Sequence, residues 1–426
     1  MTSRFWHGFA DMHTVADAKV VIRSGEGVWL EDVDGRRYLD ATAALWYCNV
    51  GYGRREIADA VAEQLARLPA YSSFGAYTSE PTLALADRLA ALAPIPNAVV
   101  FLGSGGSDAV DTAAKLARRY WDVVGRPEKR VIVSREFGYH GMHGWGTSLV
   151  GIGPMKTGYG GSFIDEVVNV GAMDTESLGA LFAERGHEIA AFIGEPVIGA
   201  GGVIPPEDHY WPEVNRLCRE HDILLVADEV ITGFGRTGWM FGAQRYGFQP
   251  DIVTFAKGVS SGYFPLGGLL VGERVRAPFW NGPAGTMFRH GYTYSGHASG
   301  CAAAMANLDI IEREGLVDRV RSLEPMLARE LGRLSGLDGV GEIRVVGLTA
   351  GVDFADDVLA ADPGVVDRAV VVAREHGVLT RNLRGRAFQI SPPFVITESE
   401  IAQMVDGLTA AVQTVVETGA GVAARR

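Results

Sequence analysis

The sequence predicts an α/β protein: a mostly parallel sheet covered by helices, with a smaller α+β unit drawn from the N- and C-terminal segments. Two patterns carry that expectation. Short, continuously apolar stretches alternate with helical repeats of apolar residues, which is the signature of strands buried on both faces. Toward both ends the texture changes, to a hairpin on one side and to a helix, a strand pair and further helices on the other. With 426 residues, 47% of them hydrophobic, the chain can fill one large core and a smaller companion.

The elements follow in order. GVWLEDVDGRRYLDA alternates around Asp34-Gly35, a strong tight-turn pair, and predicts a hairpin. REIADAVAEQLARL and PTLALADRLAALA carry apolar residues at helical spacing. Strands are expected at 98–103, 130–134, 190–196, 223–229, 251–256 and 267–272. SGCAAAMANLDIIEREG begins a long helix, followed by the strand pair EIRVVGLTAGVDF and two more helices. The last of these opens at Thr397-Glu398-Ser399-Glu400, a capping box. The expected division is therefore 1–53 as an N-terminal segment of a small domain, 54–297 as the large domain, and 298–426 as the C-terminal small domain.

A formal charge of -12, with 39 Lys+Arg against 51 Asp+Glu, argues against nucleic acid as the main partner. Cys48, Cys218 and Cys301 stand far apart, which fits a reducing compartment and offers no metal or disulfide framework. MTSRFWHGFADMHT lacks the apolar core of a secretion signal, and no stretch is long and apolar enough to span a membrane. A cytoplasmic protein without membrane partners is expected.

In an open parallel sheet, ligands sit beyond the carboxyl ends of the strands. After AVVFLG comes Ser104-Gly105-Gly106-Ser107 and then a helix, a turn whose free N–H groups suit a phosphate. By itself it reads equally as a helix start capped by Ser107. After ILLVA comes Asp228, which needs a charged partner; Arg236 is the nearby choice. After DIVTFA comes Lys257, either reaching out to solvent or holding a lowered pKa that permits a Schiff base. Pyridoxal 5′-phosphate requires all three: a helix start for its phosphate, a carboxylate for its pyridine nitrogen and a lysine for its aldehyde. An aromatic such as Tyr139 can stack on the ring.

LWYCNVGYG, SGGSDAVDTAAKLARRY, YHG, EPVIGAGG, DEVITGFGRTG, TFAKG, YTYSGH and a late arginine before PPF occur in this order. Over nearly its whole length the chain resembles a class III (ω-type) aminotransferase of pyridoxal-phosphate fold type I, with DEVITGFGRTG and TFAKG the most specific matches. The resemblance implies Lys257 as the internal aldimine lysine and proton carrier, with Asp228 on the pyridine nitrogen. It implies Tyr139 and Val230 on the two ring faces, Gly106 and Ser107 on the phosphate, and His140 and Glu195 close by. Thr293 matches the residue that reaches the phosphate from the neighbouring subunit, implying a homodimer with active sites at the interface. Trp46, Phe74 and Tyr139 match positions lining the substrate pocket, and Arg381 matches the arginine that binds a substrate carboxylate. Ala200 stands where relatives acting on ornithine and GABA place a glutamate, which points to the amine:pyruvate branch.

The chain departs from the family pattern at several positions. Ile198 replaces a glutamine, Ala298 replaces a proline, and Ser104-Gly105 replaces an Asn-Ser pair. The segment from Arg381 to Pro392 is about one residue longer than in the family, which makes Arg384 a competitor for the carboxylate. The reaction expected is transfer of an amino group from a primary amine or ω-amino acid to a keto acid such as pyruvate. The rivals are an aminomutase, racemase or decarboxylase of the same fold, and a serine hydrolase using Ser107, Asp228 and His290 or His297.

Overall fold

A computed structural model describes residues 4–160 and 163–423. Its centre is a seven-stranded sheet in the order Val99–Gly103, Gly267–Val271, Ile252–Phe255, Leu224–Asp228, Ile189–Gly194, Val131–Arg135, Val167–Val170. Six of the strands run in the same direction. Gly267–Val271 is antiparallel to both its neighbours, and so separates the strand leading to Ser104 from the strand leading to Lys257.

The apolar runs are continuous because alternate residues enter two different cores. Along Leu224–Asp228, Leu224 and Val226 pack on one face of the sheet, Leu225 and Ala227 on the other. The helix Gly106–Val123 covers the first face with Ala109, Val110, Ala113, Ala114, Ala117 and Trp121. That spacing is one helical stripe, and its small residues let the helix lie close to the sheet.

The hairpin forms as expected, with Trp29–Asp32 antiparallel to Arg37–Asp40 and Gly35 at φ +80°. Val378–Leu379 then adds to it in parallel beside Leu39–Asp40, so a C-terminal strand completes an N-terminal sheet. A third sheet holds Val340–Val346, Thr349–Phe354, Ala387–Ile390 and Asn382–Leu383. This smaller α+β part also has the helices Asp356–Ala361, Val365–Glu375 and Glu398–Ala423, one more than expected after the strand pair. The capping box is present: Thr397 N donates to Glu400 Oε2 at 2.9 Å, and Glu400 N to Thr397 Oγ1 at 3.2 Å.

Candidate active site

Four strands deliver their next residues to one place. Asp228 ends Leu224–Asp228, Lys257 follows Ile252–Phe255, Glu195 follows Ile189–Gly194, and Tyr139-His140 lie in the turn beyond Val131–Arg135. With Gly106, Ser107 and Val230 they line a cavity of about 150 Å³, completed by Val110, Gly141 and Ile231. Larger surface clefts exist, but this one contains the buried amine and carboxylates.

Asp228 is 3% exposed. Its Oδ2 lies 2.7 Å from His140 Nδ1, and its Oδ1 accepts from Thr254 Oγ1 at 2.9 Å and Val230 N at 3.2 Å. A carboxylate only accepts, so His140 Nδ1 carries the proton of that bond. The other ring nitrogen, Nε2, is buried with no partner among the described residues. Arg236, the partner the sequence offered for Asp228, turns away: it donates to Asn49 Oδ1 at 2.7 Å, Leu348 O at 2.9 Å and Pro392 O at 2.6 Å. Seven residues lie between the two in sequence, and the side chains that reach Asp228 come from other elements. Thr254 pairs with it in register across the sheet, and a polar residue inside an apolar strand was the available signal.

Lys257 lines the cavity, and its Nζ stands 5.4 Å from the centre of the Trp46 ring. Burial pushes its pKa down to about 8; the charges of Asp228 and Glu195 oppose this, and Arg381 adds to it. No hydrogen bond to its Nζ occurs among the described residues. Glu195 is buried and its pKa is raised chiefly by that burial. It fastens two turns, accepting from Tyr139 N and Gly199 N, each at 2.9 Å.

The helix Gly106–Val123 begins with no side chain capping it. Ser107 Oγ instead accepts from Met142 N at 3.1 Å, so the capping alternative is not realised. Gly105 faces open space, whereas a Cβ on Gly106 would stand 3.0 Å from Val230 Cγ1. An uncapped helix start with open space at its mouth can receive a phosphate-sized anion.

Around this cavity Trp46 is buried, and Arg381 lies 4.8 Å over the same indole. Its guanidinium has no hydrogen bond or ion pair among the described residues. Ala200 packs against the cluster that contains Trp46 and Ile231. Arg384 is held elsewhere, 4.0 Å over the Phe137 ring. Two expected residues are not brought to the cavity within this chain. Phe74 is 54% exposed and packs near Gly291, and Thr293 is exposed two residues further on. Ser73 Oγ donates to Ser295 O at 2.8 Å, which joins the two segments on one surface.

The hydrolase constellation is not assembled. His140, not His290, meets Asp228, while His290 is occupied by Thr112 and Lys115.

A sequence profile for class-III aminotransferases matches residues 12–412. The chain belongs to the class III aminotransferases. Among curated relatives of this transaminase, a putrescine–pyruvate aminotransferase of Pseudomonas aeruginosa is 37% identical, over 90% of this chain and 88% of its own. A diaminobutyrate–2-oxoglutarate transaminase of Halomonas elongata is also 37% identical, over 93% of this chain and 91% of its own. Among solved structures, an (S)-enantioselective ω-transaminase from Thermomicrobium roseum has a TM-score of 0.91 at 38% identity, covering 96% of both chains. An amine transaminase from an uncultivated Pseudomonas species, solved with pyridoxal phosphate bound, has a TM-score of 0.89 at 37% identity, covering 97% of this chain and 99% of the other.

The transaminase is thus a pyridoxal-phosphate enzyme of fold type I, with a large parallel-rich sheet and a smaller domain. The cavity suits the cofactor: it has an open helix start, an amine with no hydrogen-bond partner among the described residues, and a carboxylate positioned by three donors. Among the described residues no helix is long and apolar enough to cross a membrane, and no His/Cys/Asp/Glu group is arranged to hold a metal.

Proposed function

We propose that the enzyme transfers an amino group from a primary amine or ω-amino acid to a keto acid, with pyruvate as the acceptor. The observation that carries this reading is Ala200 packed against the cluster that contains Trp46, together with an Arg381 that no carboxylate among the described residues restrains. An acceptor carboxylate then meets an unpaired guanidinium, and an apolar amine meets an indole and an alanine. A panel of amine donors against pyruvate and 2-oxoglutarate, read by loss of the bound cofactor's visible absorption, tests it. Strong preference for 2-oxoglutarate would overturn the choice of acceptor. An aminomutase or racemase needs no second keto acid, so turnover that depends on pyruvate also removes those rivals.

In this reading Gly106 and Ser107 hold the cofactor phosphate at the helix start, Asp228 accepts from the pyridine N–H, and Tyr139 and Val230 enclose the ring. His140 orients Asp228, and Glu195 keeps the Tyr139 turn in place. Bound pyridoxal phosphate supplies an electrophilic aldehyde and a ring that absorbs the charge left when the donor carbon loses its proton. With the cofactor in place, Lys257 Nζ would anchor that aldehyde and, once released, would accept and return the proton of the donor carbon beside nitrogen. Arg381, favoured over Arg384 by its place on Trp46, binds the acceptor carboxylate.

The surface shared by Phe74 and Thr293 supports a homodimer in which each chain supplies these two residues to its partner's cavity. The pairing of Val378–Leu379 with Leu39–Asp40 supports segments 1–53 and 298–426 as one small domain around a large domain of 54–297. Three free, buried cysteines suit a cytoplasmic location.

A further inference from the structure

Lys257 holds φ at +48°, in the left-handed region that strains any side chain other than glycine. Such a conformation persists only where its surroundings over-determine it. Two asparagines outside the cavity press on the turn Lys257–Val259.

Asn307, fully buried in the helix Ala298–Arg313, donates from Nδ2 to both Gly258 O and Val259 O at 2.9 Å. Two carbonyl oxygens can only accept, which fixes the orientation of the amide. Its Oδ1 is then left buried without a partner among the described residues, a cost the fold retains together with the NH₂ donors. Asn49 closes the other side. A Cβ on Gly258 would stand 2.4 Å from Asn49 Nδ2. Asn49 is itself held through Oδ1 by Arg236 at 2.7 Å, and its own Nδ2 donates to Phe234 O at 3.2 Å. Arg236 is fully buried and lies 4.5 Å over the Phe394 ring, with no carboxylate in ion-pair contact among the described residues.

We propose that Asn307 and Asn49 are positioning residues for Lys257, gripping its turn from two sides so that the amine is held toward the cavity. Arg236 acts one step further out, by fixing Asn49. None of the three lines the cavity, so none touches the reacting atoms. The inference rests on Lys257 being the lysine that carries the cofactor, as proposed above.

The test pairs Asn307→Ala, which removes the donors and leaves a hole, with Asn307→Leu, which refills the space without donors. Competitive acetylation of the cofactor-free protein across pH, read on the Lys257 peptide, reports how that amine titrates. Steady-state rates of the loaded enzyme give kcat and both KM values. Both variants are expected to titrate at least half a pH unit higher, because a released turn lets the amine reach water. Their kcat is expected to fall at least tenfold, with KM for amine and for pyruvate within threefold of the parent. A leucine variant with parental titration and kcat within twofold would show that Asn307 only fills space, and would overturn the proposal. Should the leucine variant not fold, alanine decides by the same criteria. Asn49→Ala is expected to show the same split, and parental behaviour there would remove Asn49 from the proposal. Borohydride reduction of the loaded parent followed by peptide mapping keeps the underlying reading separate. A label on another lysine would overturn that reading, whatever the acetylation shows.

Discussion

Lys257 places a titratable amine in a cavity where burial holds its pKa at about 8, against 10.5 for an ordinary lysine. In the cofactor-free protein the neutral amine should grow about tenfold per pH unit up to roughly pH 8 and then level off. The rate at which added pyridoxal phosphate is captured should follow that curve; a midpoint near 10.5 would put the amine in water. The same shift links stability to pH. The unfolded lysine keeps its proton up to its ordinary value, while the folded one loses it near 8. Between those values the unfolded state binds more protons, so the stability of the cofactor-free protein rises with pH across that window. Lys257→Ala should abolish turnover and borohydride-fixed cofactor while the fold persists, and full activity in that variant would refute the role. At this scale the sequence was legible where a costly residue ended an apolar strand, as with Lys257 and Asp228. It was not legible for their partners: His140 and Thr254 reach Asp228 from 88 and 26 residues away, whereas the nearest arginine in sequence was the wrong one.

Among the elements, the helix Gly106–Val123 and the turn at Gly141 meet closely. A Cβ on Gly141 would stand 2.6 Å from Ser107 Oγ and 2.8 Å from Ser107 Cα, on a backbone at φ +88°. Gly141→Ala must therefore push the helix start out of place as well as strain its own turn. We expect cofactor affinity to weaken at least tenfold, measured by titrating the cofactor-free protein, while far-ultraviolet circular dichroism stays unchanged; parental affinity would show that this contact is slack. The six expected strands all form, because each is a mainly apolar run that packs into the cores on the faces of the sheet. Val167–Val170 escaped notice: it is an edge strand of four residues, only partly buried and interrupted by Asn169. Val378–Leu379 and Asn382–Leu383, two residues each, carry no periodicity to read and exist only through the sheets they join.

For the whole molecule, the exposed pair of Phe74 and Thr293 turns the proposed dimer into a complementation experiment. Lys257→Ala and Thr293→Glu should each be inactive alone, the second because its carboxylate would face the partner's cofactor phosphate. Co-refolding equal amounts gives hybrids in which one site carries both defects and the other carries neither. Activity should return to about a quarter of the parental value per subunit; no recovery would place Thr293 in its own chain's site. The quaternary role proposed for these residues rests on motif resemblance, since two exposed side chains do not by themselves reveal which surface covers them.

The strand Gly267–Val271 lies between the strands that lead to Ser104 and to Lys257, although it follows both in the chain. The phosphate turn and the lysine can therefore be set in place only after residue 271 has been synthesised. The sheet behind Trp46 waits longer still, for Val378–Leu379. A nascent chain on the ribosome holds Ser107 and Lys257 in sequence before the strand that sets their two turns side by side has been made. Loading with pyridoxal phosphate is in this sense a reporter of complete synthesis, because a chain halted before its last strands has no finished pocket to offer.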